Sequence, residues 1–115
     1  MSLTVLEGLR PWLIQRISAV VIALYLVYVI ATVGVHGAFD YADWRAWVHA
    51  PYNSLFMGLF ILALLFHAWI GMRDVILDYV HNVLLRLLIF SVIVSVLLIS
   101  GLWSLRILLL PLAAQ

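Results

Sequence analysis

The chain has 115 residues, of which 68% are hydrophobic and 10% charged, and its formal net charge is +1. A soluble domain of this size has too little interior for so much apolar surface, so the composition selects a lipid bilayer as solvent. It also excludes a basic nucleic-acid surface, and the absence of cysteine excludes disulfides, thiolate-ligated iron–sulfur clusters and covalent c-type haem attachment.

Residues 1–11 form a short amphipathic lead ending in Arg10 and Pro11. Proline suits the first turn of a helix, where its missing N–H is not needed, so a first span is expected over about 12–35. Within it, residues 17–35 are an uncharged run of 19. That length matches the ~20 residues a helix needs to cross a ~30 Å hydrocarbon core. The run is too long for a signal-peptide core, and Arg10 and Arg16 precede it as an anchor requires, so an uncleaved N-terminus is expected. A small-residue pattern at residues 34–38 keeps cleavage open as the alternative.

The connection 36–54 carries Phe39, Tyr41, Trp44, Trp47 and Tyr52 among Asp40, Asp43 and Arg45, a composition suited to the headgroup layer. A short interfacial helix from Tyr41 to His49 is predicted there, with Asp40 as its N-cap and Pro51 just past its end. A second span follows over about 54–77, including 18 uncharged residues at 55–72, with one further turn into water open. A tight turn at 78–83 leads to a third span over about 84–109, closed by Pro111. Ser91, Ser95, Ser100, Gly101 and Ser104 give that span small residues for close helix packing.

The expected fold is thus an all-α membrane protein, a single domain over 1–115 with three transmembrane helices in an up-down-up bundle. Arg10, Arg16, Arg73 and Arg86 fall on one side of the membrane, and Arg45 and Arg106 on the other. The positive-inside rule then puts the N-terminus in the cytoplasm and the C-terminus outside.

His67 is the one histidine set within a span; His36, His49 and His81 fall in connections. An ionisable group at that depth costs free energy without a partner, which makes it a functional candidate. At about 100° per residue, Gly71, Asp74 and Asp78 lie within roughly 40° of His67, on one helix face. A neutral imidazole is a good ligand for haem iron, and Gly71 clears the helix surface where a flat macrocycle would lie. The other reading is an interhelical hydrogen bond with no cofactor, and spacing alone leaves both open. With one such histidine, a haem ligated by two histidines needs its second ligand from another chain or copy.

Asp78 and Tyr79 lie near the headgroup boundary, ~18 Å along the axis from His67. A carboxylate and a phenol there can hold a polar head arriving from the lipid, or act as a helix-end residue and an interfacial anchor. Arg16, at the same side of the first span, can pair with Asp74 or with a cofactor carboxylate, or simply snorkel. Ser18 beside it carries no signal by itself. No nucleophile–base pair, phosphate loop or metal-ligand spacing appears, so the chain is not expected to be an enzyme alone.

The segment running from His67-Ala-Trp-Ile-Gly-Met to Asp78-Tyr79 resembles the signature of the hydrophobic membrane-anchor (D) subunit of succinate dehydrogenase, respiratory complex II. Overall length, three spans and an arginine opening the first span resemble that family too. The resemblance implies that His67 is one axial ligand of a haem b shared with a sister anchor subunit (C), with Arg16 near the haem propionates. It implies that Tyr79 and Asp78 contribute to a ubiquinone-reduction site, with succinate oxidised on a flavoprotein and electrons delivered through an iron–sulfur subunit. Arg73 and His81 match nothing in the pattern. The short N-terminus without a transit peptide favours a bacterial inner membrane. The alternatives are a fumarate-reductase-type anchor using menaquinone, a purely structural anchor, and a small transporter relaying protons through His67 and its acidic neighbours.

Overall fold

A computed structural model describes residues 3–110. Four helices follow one another: α1 (Leu3–His36), α2 (Tyr41–His49), α3 (Pro51–Tyr79) and α4 (Val83–Leu109). α1, α3 and α4 are each long and apolar enough to cross a membrane, and α2 is the short helix between the first two. Pro111, expected to close the third span, lies outside the described residues.

Sequence-local chemistry sets most boundaries. α1 stops where Gly37 takes φ of +87° and its N–H returns to the Val33 carbonyl at 2.9 Å, a left-handed cap that glycine adopts without steric cost. α2 opens on a reciprocal capping box. The Asp43 N–H donates to Asp40 Oδ1 at 2.7 Å, and the Asp40 N–H to Asp43 Oδ2 at 3.2 Å. Ala50 ends α2 and caps α3 at once, with Pro51 in the first turn of the new helix. α3 therefore begins three residues before Ser54, the start expected from hydropathy. Residues 80–82 make the turn between α3 and α4, and Asn82 caps α4 by accepting the Leu85 N–H at 3.1 Å.

α1 departs from the expected start at Trp12. The helix begins at Leu3, so Pro11 lies inside it rather than in its first turn. An internal proline leaves the carbonyl four residues back, that of Glu7, without its helical donor. Glu7, Gly8, Pro11, Trp12 and Gln15 line one wall of a groove whose other wall is Ile70, Arg73 and Asp74 of α3. The lead is thus a continuation of the first span.

α3 is the central helix, packing against α1 and α4, with α2 against its first turns. Gln15 lies against Gly71, Ser18 against His67 and Tyr25 against Phe60, so α1 and α3 run antiparallel. On the other side, Trp69 meets Phe90, and a Cβ on Gly101 would come within 3.0 Å of Leu65 Cδ1. Burial is sparse. Ser18, Tyr25, Asn53, Ala63, Ile70 and Ile76 are buried, all of them on α1 and α3. The serines of α4 do not bridge to neighbours: Ser91, Ser95 and Ser104 each donate to the carbonyl four residues back in their own helix. Gly101 of that small-residue set makes a close approach to Leu65 of α3.

Candidate functional site

His67 sits half-buried on the α1 side of α3. Its Nδ1 lies 3.1 Å from Ser18 Oγ, and that hydroxyl donates to the Gln15 carbonyl at 3.0 Å. A serine has one hydroxyl proton. With that proton committed to a carbonyl, the oxygen faces Nδ1 as an acceptor, which assigns the ring proton to Nδ1. Nε2, which carries the lone pair in that neutral tautomer, has no hydrogen-bond partner among the described residues. No cluster of three or more metal-ligating side chains occurs among the described residues. His67 offers a single nitrogen donor.

One turn further, Gly71 is turned toward α1: a Cβ there would lie 3.7 Å from Gln15 Nε2, an ordinary contact. The other amide atom, Gln15 Oε1, is buried without a hydrogen bond. Arg16 points away from this seam, exposed, with its guanidinium 5.5 Å from the centre of the Trp12 ring. It does not pair with Asp74, which lies 3.7 Å from Arg73 in an exposed ion pair. The local partner one turn back on its own helix takes the place of the distant carboxylate.

Asp78 and Tyr79 are the last two residues of α3, and both are exposed, Tyr79 at 80%. They are not gathered into one pocket with His67. Arg86 holds the backbone on either side of them: its Nε donates to the Val80 carbonyl and its Nη2 to that of Leu77 at 3.0 Å. A cation on the carbonyls of a helix C-terminus complements both the unpaired acceptors and the helix dipole. Arg86 had appeared in the sequence only as a charge for orientation.

A second polar seam joins α1, α2 and α3 near the other membrane face. The Tyr25 hydroxyl donates to Asn53 Oδ1 at 3.1 Å, and Asn53 Nδ2 donates to the Trp47 carbonyl at 2.8 Å. Tyr25 stacks on Phe60, and Tyr28 on Trp47. His36 packs on Phe39, and the His49 ring nitrogens lie 2.9 Å from the Arg45 carbonyl and 3.0 Å from that of Ile107. Neither Ser18 nor Asn53 stood out in the sequence. The signal was present as a stripe: Gln15, Ser18 and Tyr25 share one helix face, and that face is the one α1 turns to α3.

Three apolar helices, each long enough to span a bilayer, define a multi-pass membrane protein. Residues 7–105 match the Succinate dehydrogenase/Fumarate reductase transmembrane subunit family, and the chain belongs to that family of membrane anchors. It is similar to the succinate dehydrogenase hydrophobic membrane anchor subunit of Coxiella burnetii (strain RSA 493 / Nine Mile phase I), with 35% identity over 104 residues, 87% of each chain. It is also similar to the subunit of that name from Rickettsia conorii (strain ATCC VR-613 / Malish 7), with 31% identity over 81 residues, 70% of this chain and 64% of the relative.

Proposed function

We propose that this anchor supplies His67 as one axial ligand of a haem b whose second ligand comes from a sister anchor subunit. The observation that carries the reading is the Ser18 contact at Nδ1, which leaves Nε2 without a hydrogen-bond partner among the described residues. A lone neutral imidazole with its other nitrogen held by a hydrogen-bond acceptor is the donor chemistry an axial haem site requires. Arg16 extends from the start of the same span as a candidate cation for the haem propionates, and Gly71 keeps the helix surface low next to His67. When bound, the haem supplies a one-electron redox centre within the membrane.

Asp78 and Tyr79 contribute to a ubiquinone-reduction site, Tyr79 by donating a hydrogen bond to a quinone oxygen and Asp78 by supporting proton delivery. Their exposure at the end of α3 supports a site completed by other subunits and entered from the lipid. The chain would then tether an iron–sulfur subunit and a flavoprotein to a bacterial inner membrane, with its N-terminus cytoplasmic and its C-terminus periplasmic. Both relatives are named for succinate dehydrogenase, which favours an anchor for succinate oxidation over one for fumarate reduction.

The test is a visible spectrum of the complex copurified in mild detergent. A low-spin b-type signature is expected, and His67→Ala should abolish it or change its character. An unchanged spectrum would reduce His67 to interhelical glue. Tyr79→Phe should depress quinone reduction while succinate oxidation by a soluble artificial acceptor stays nearly intact; equal loss of both would indicate misassembly rather than a quinone contact.

A further inference from the structure

Resting on the assignment of His67 as a haem ligand, we infer that Ser18 is a positioning residue that sets the orientation and donor strength of that ligand, and through them the haem's reduction potential. Ser18 is 4% exposed, deep in the α1–α3 seam, and its hydroxyl is saturated in a directional way. It gives its proton to the Gln15 carbonyl at 3.0 Å and receives that of His67 Nδ1 at 3.1 Å. The chain of bonds from imidazole to hydroxyl to backbone carbonyl polarises each link, so the serine oxygen is a better acceptor than an isolated hydroxyl.

Two consequences follow for the ring. First, the bond to Nδ1 excludes the tautomer that would place a proton on Nε2, and it restrains rotation about the Cβ–Cγ axis. Second, an acceptor on Nδ1–H draws that proton outward and raises the basicity of Nε2. A more basic nitrogen favours the ferric over the ferrous state, so the hydroxyl holds the potential down. The acceptor here is neutral and not a carboxylate, so the effect is a moderate one.

The experiment uses the whole complex, purified in mild detergent, with redox titration of the b-type absorbance and the ferric low-spin electron paramagnetic resonance spectrum as readouts. Ser18→Ala should keep its haem while the reduced-to-oxidised ratio at fixed potential rises about three- to tenfold, which is roughly 30–60 mV at 59 mV per tenfold for one electron. The low-spin signal should shift with it as the ring loses its restraint. Ser18→Cys preserves the side-chain volume but offers only a weak acceptor, so it should move the potential in the same direction. Ser18→Thr keeps the hydroxyl and should return the wild-type values. These comparisons separate a hydrogen-bonding role from simple packing, which Cys would satisfy and Ala would not.

Haem-replete Ser18→Ala and Ser18→Cys complexes with unchanged potential and unchanged low-spin signal would overturn the inference. His67→Ala distinguishes the two levels of failure. If it leaves the haem spectrum untouched, the ligand assignment falls and Ser18 falls with it. If it removes or converts the signal while the Ser18 variants titrate as wild type, the ligand stands and the role of Ser18 alone is wrong.

Discussion

Asn53 offers the sharpest test of how the anchor is held together, because its two hydrogen bonds differ in what their loss leaves behind. It is 2% exposed, accepts from the Tyr25 hydroxyl at 3.1 Å and donates to the Trp47 carbonyl at 2.8 Å. In Asn53→Leu the Trp47 carbonyl keeps the Ala50 N–H at 3.3 Å, so it is not orphaned. That bond should cost about 0.6 kcal/mol, the typical worth of an interhelical hydrogen bond in a membrane. The Tyr25 hydroxyl has no such reserve: buried and unsatisfied, it should cost a further ~1–3 kcal/mol, about 2–3 kcal/mol in all. Tyr25→Phe keeps the stack on Phe60 and should cost about 1 kcal/mol, since it leaves Asn53 Oδ1 unpaired instead. Replacing both partners by apolar groups removes both orphans, so the double variant should be more stable than Asn53→Leu alone, by about 1 kcal/mol. The measurement is a double-mutant cycle of SDS-driven unfolding in mixed micelles. Additive losses, or a double variant less stable than either single one, would refute the claim that an orphaned tyrosine dominates the cost.

Other substitutions probe the remaining contacts. Gly101→Ala places a Cβ 3.0 Å from the end of the flexible Leu65 side chain and should be nearly neutral in thermal stability, whereas Gly101→Ile should cost about 1–3 kcal/mol by forcing α4 away from α3. Arg86→Ala removes both donors to the end of α3 and should destabilise that end by about 1 kcal/mol. Faster amide exchange over residues 77–80 would show it, and quinone reduction should fall with it as Asp78 and Tyr79 lose their support.

How far the sequence alone reached depended on whether a signal was local. Three spans follow from uncharged runs of 18 or 19 residues, and the bounds of α2 from Asp40 and the Pro51 that follows it. The start of α1 was not legible. Proline propensity predicts a boundary at Pro11, and the helix nevertheless runs back to Leu3 with Pro11 inside it, which no local signal before the proline announces. His67 was legible because ionisable groups in a span are costly. Ser18 was not, because its meaning depends on the register of α1 against α3, which no stretch of sequence encodes. Of the roles the sequence leaves open to Arg16, the pairing with Asp74 is absent, and the guanidinium is exposed over Trp12, four residues back on the same helix face.

The distribution of polar contacts divides the molecule into two unlike seams. Where α1 meets α3, side-chain polar atoms pair across the interface at two depths, Ser18 with His67 and Tyr25 with Asn53. In a bilayer such groups have no water to return to, so each pair resists sliding of one helix along the other. In the middle of the α3–α4 contact, the helices touch through Leu65 against Gly101 and Trp69 against Phe90, while Ser91, Ser95 and Ser104 return their protons to their own backbone. Apolar packing of that kind sets distance but little register, and the polar ties of α4 lie at its two ends, Arg86 on the carbonyls of Leu77 and Val80 and the Ile107 carbonyl against His49. A slip along α1 takes the hydroxyl away from Nδ1. The middle of the α1–α3 seam is thus where an imidazole is held in register by a side-chain hydrogen bond, while the middle of α4 packs through apolar groups.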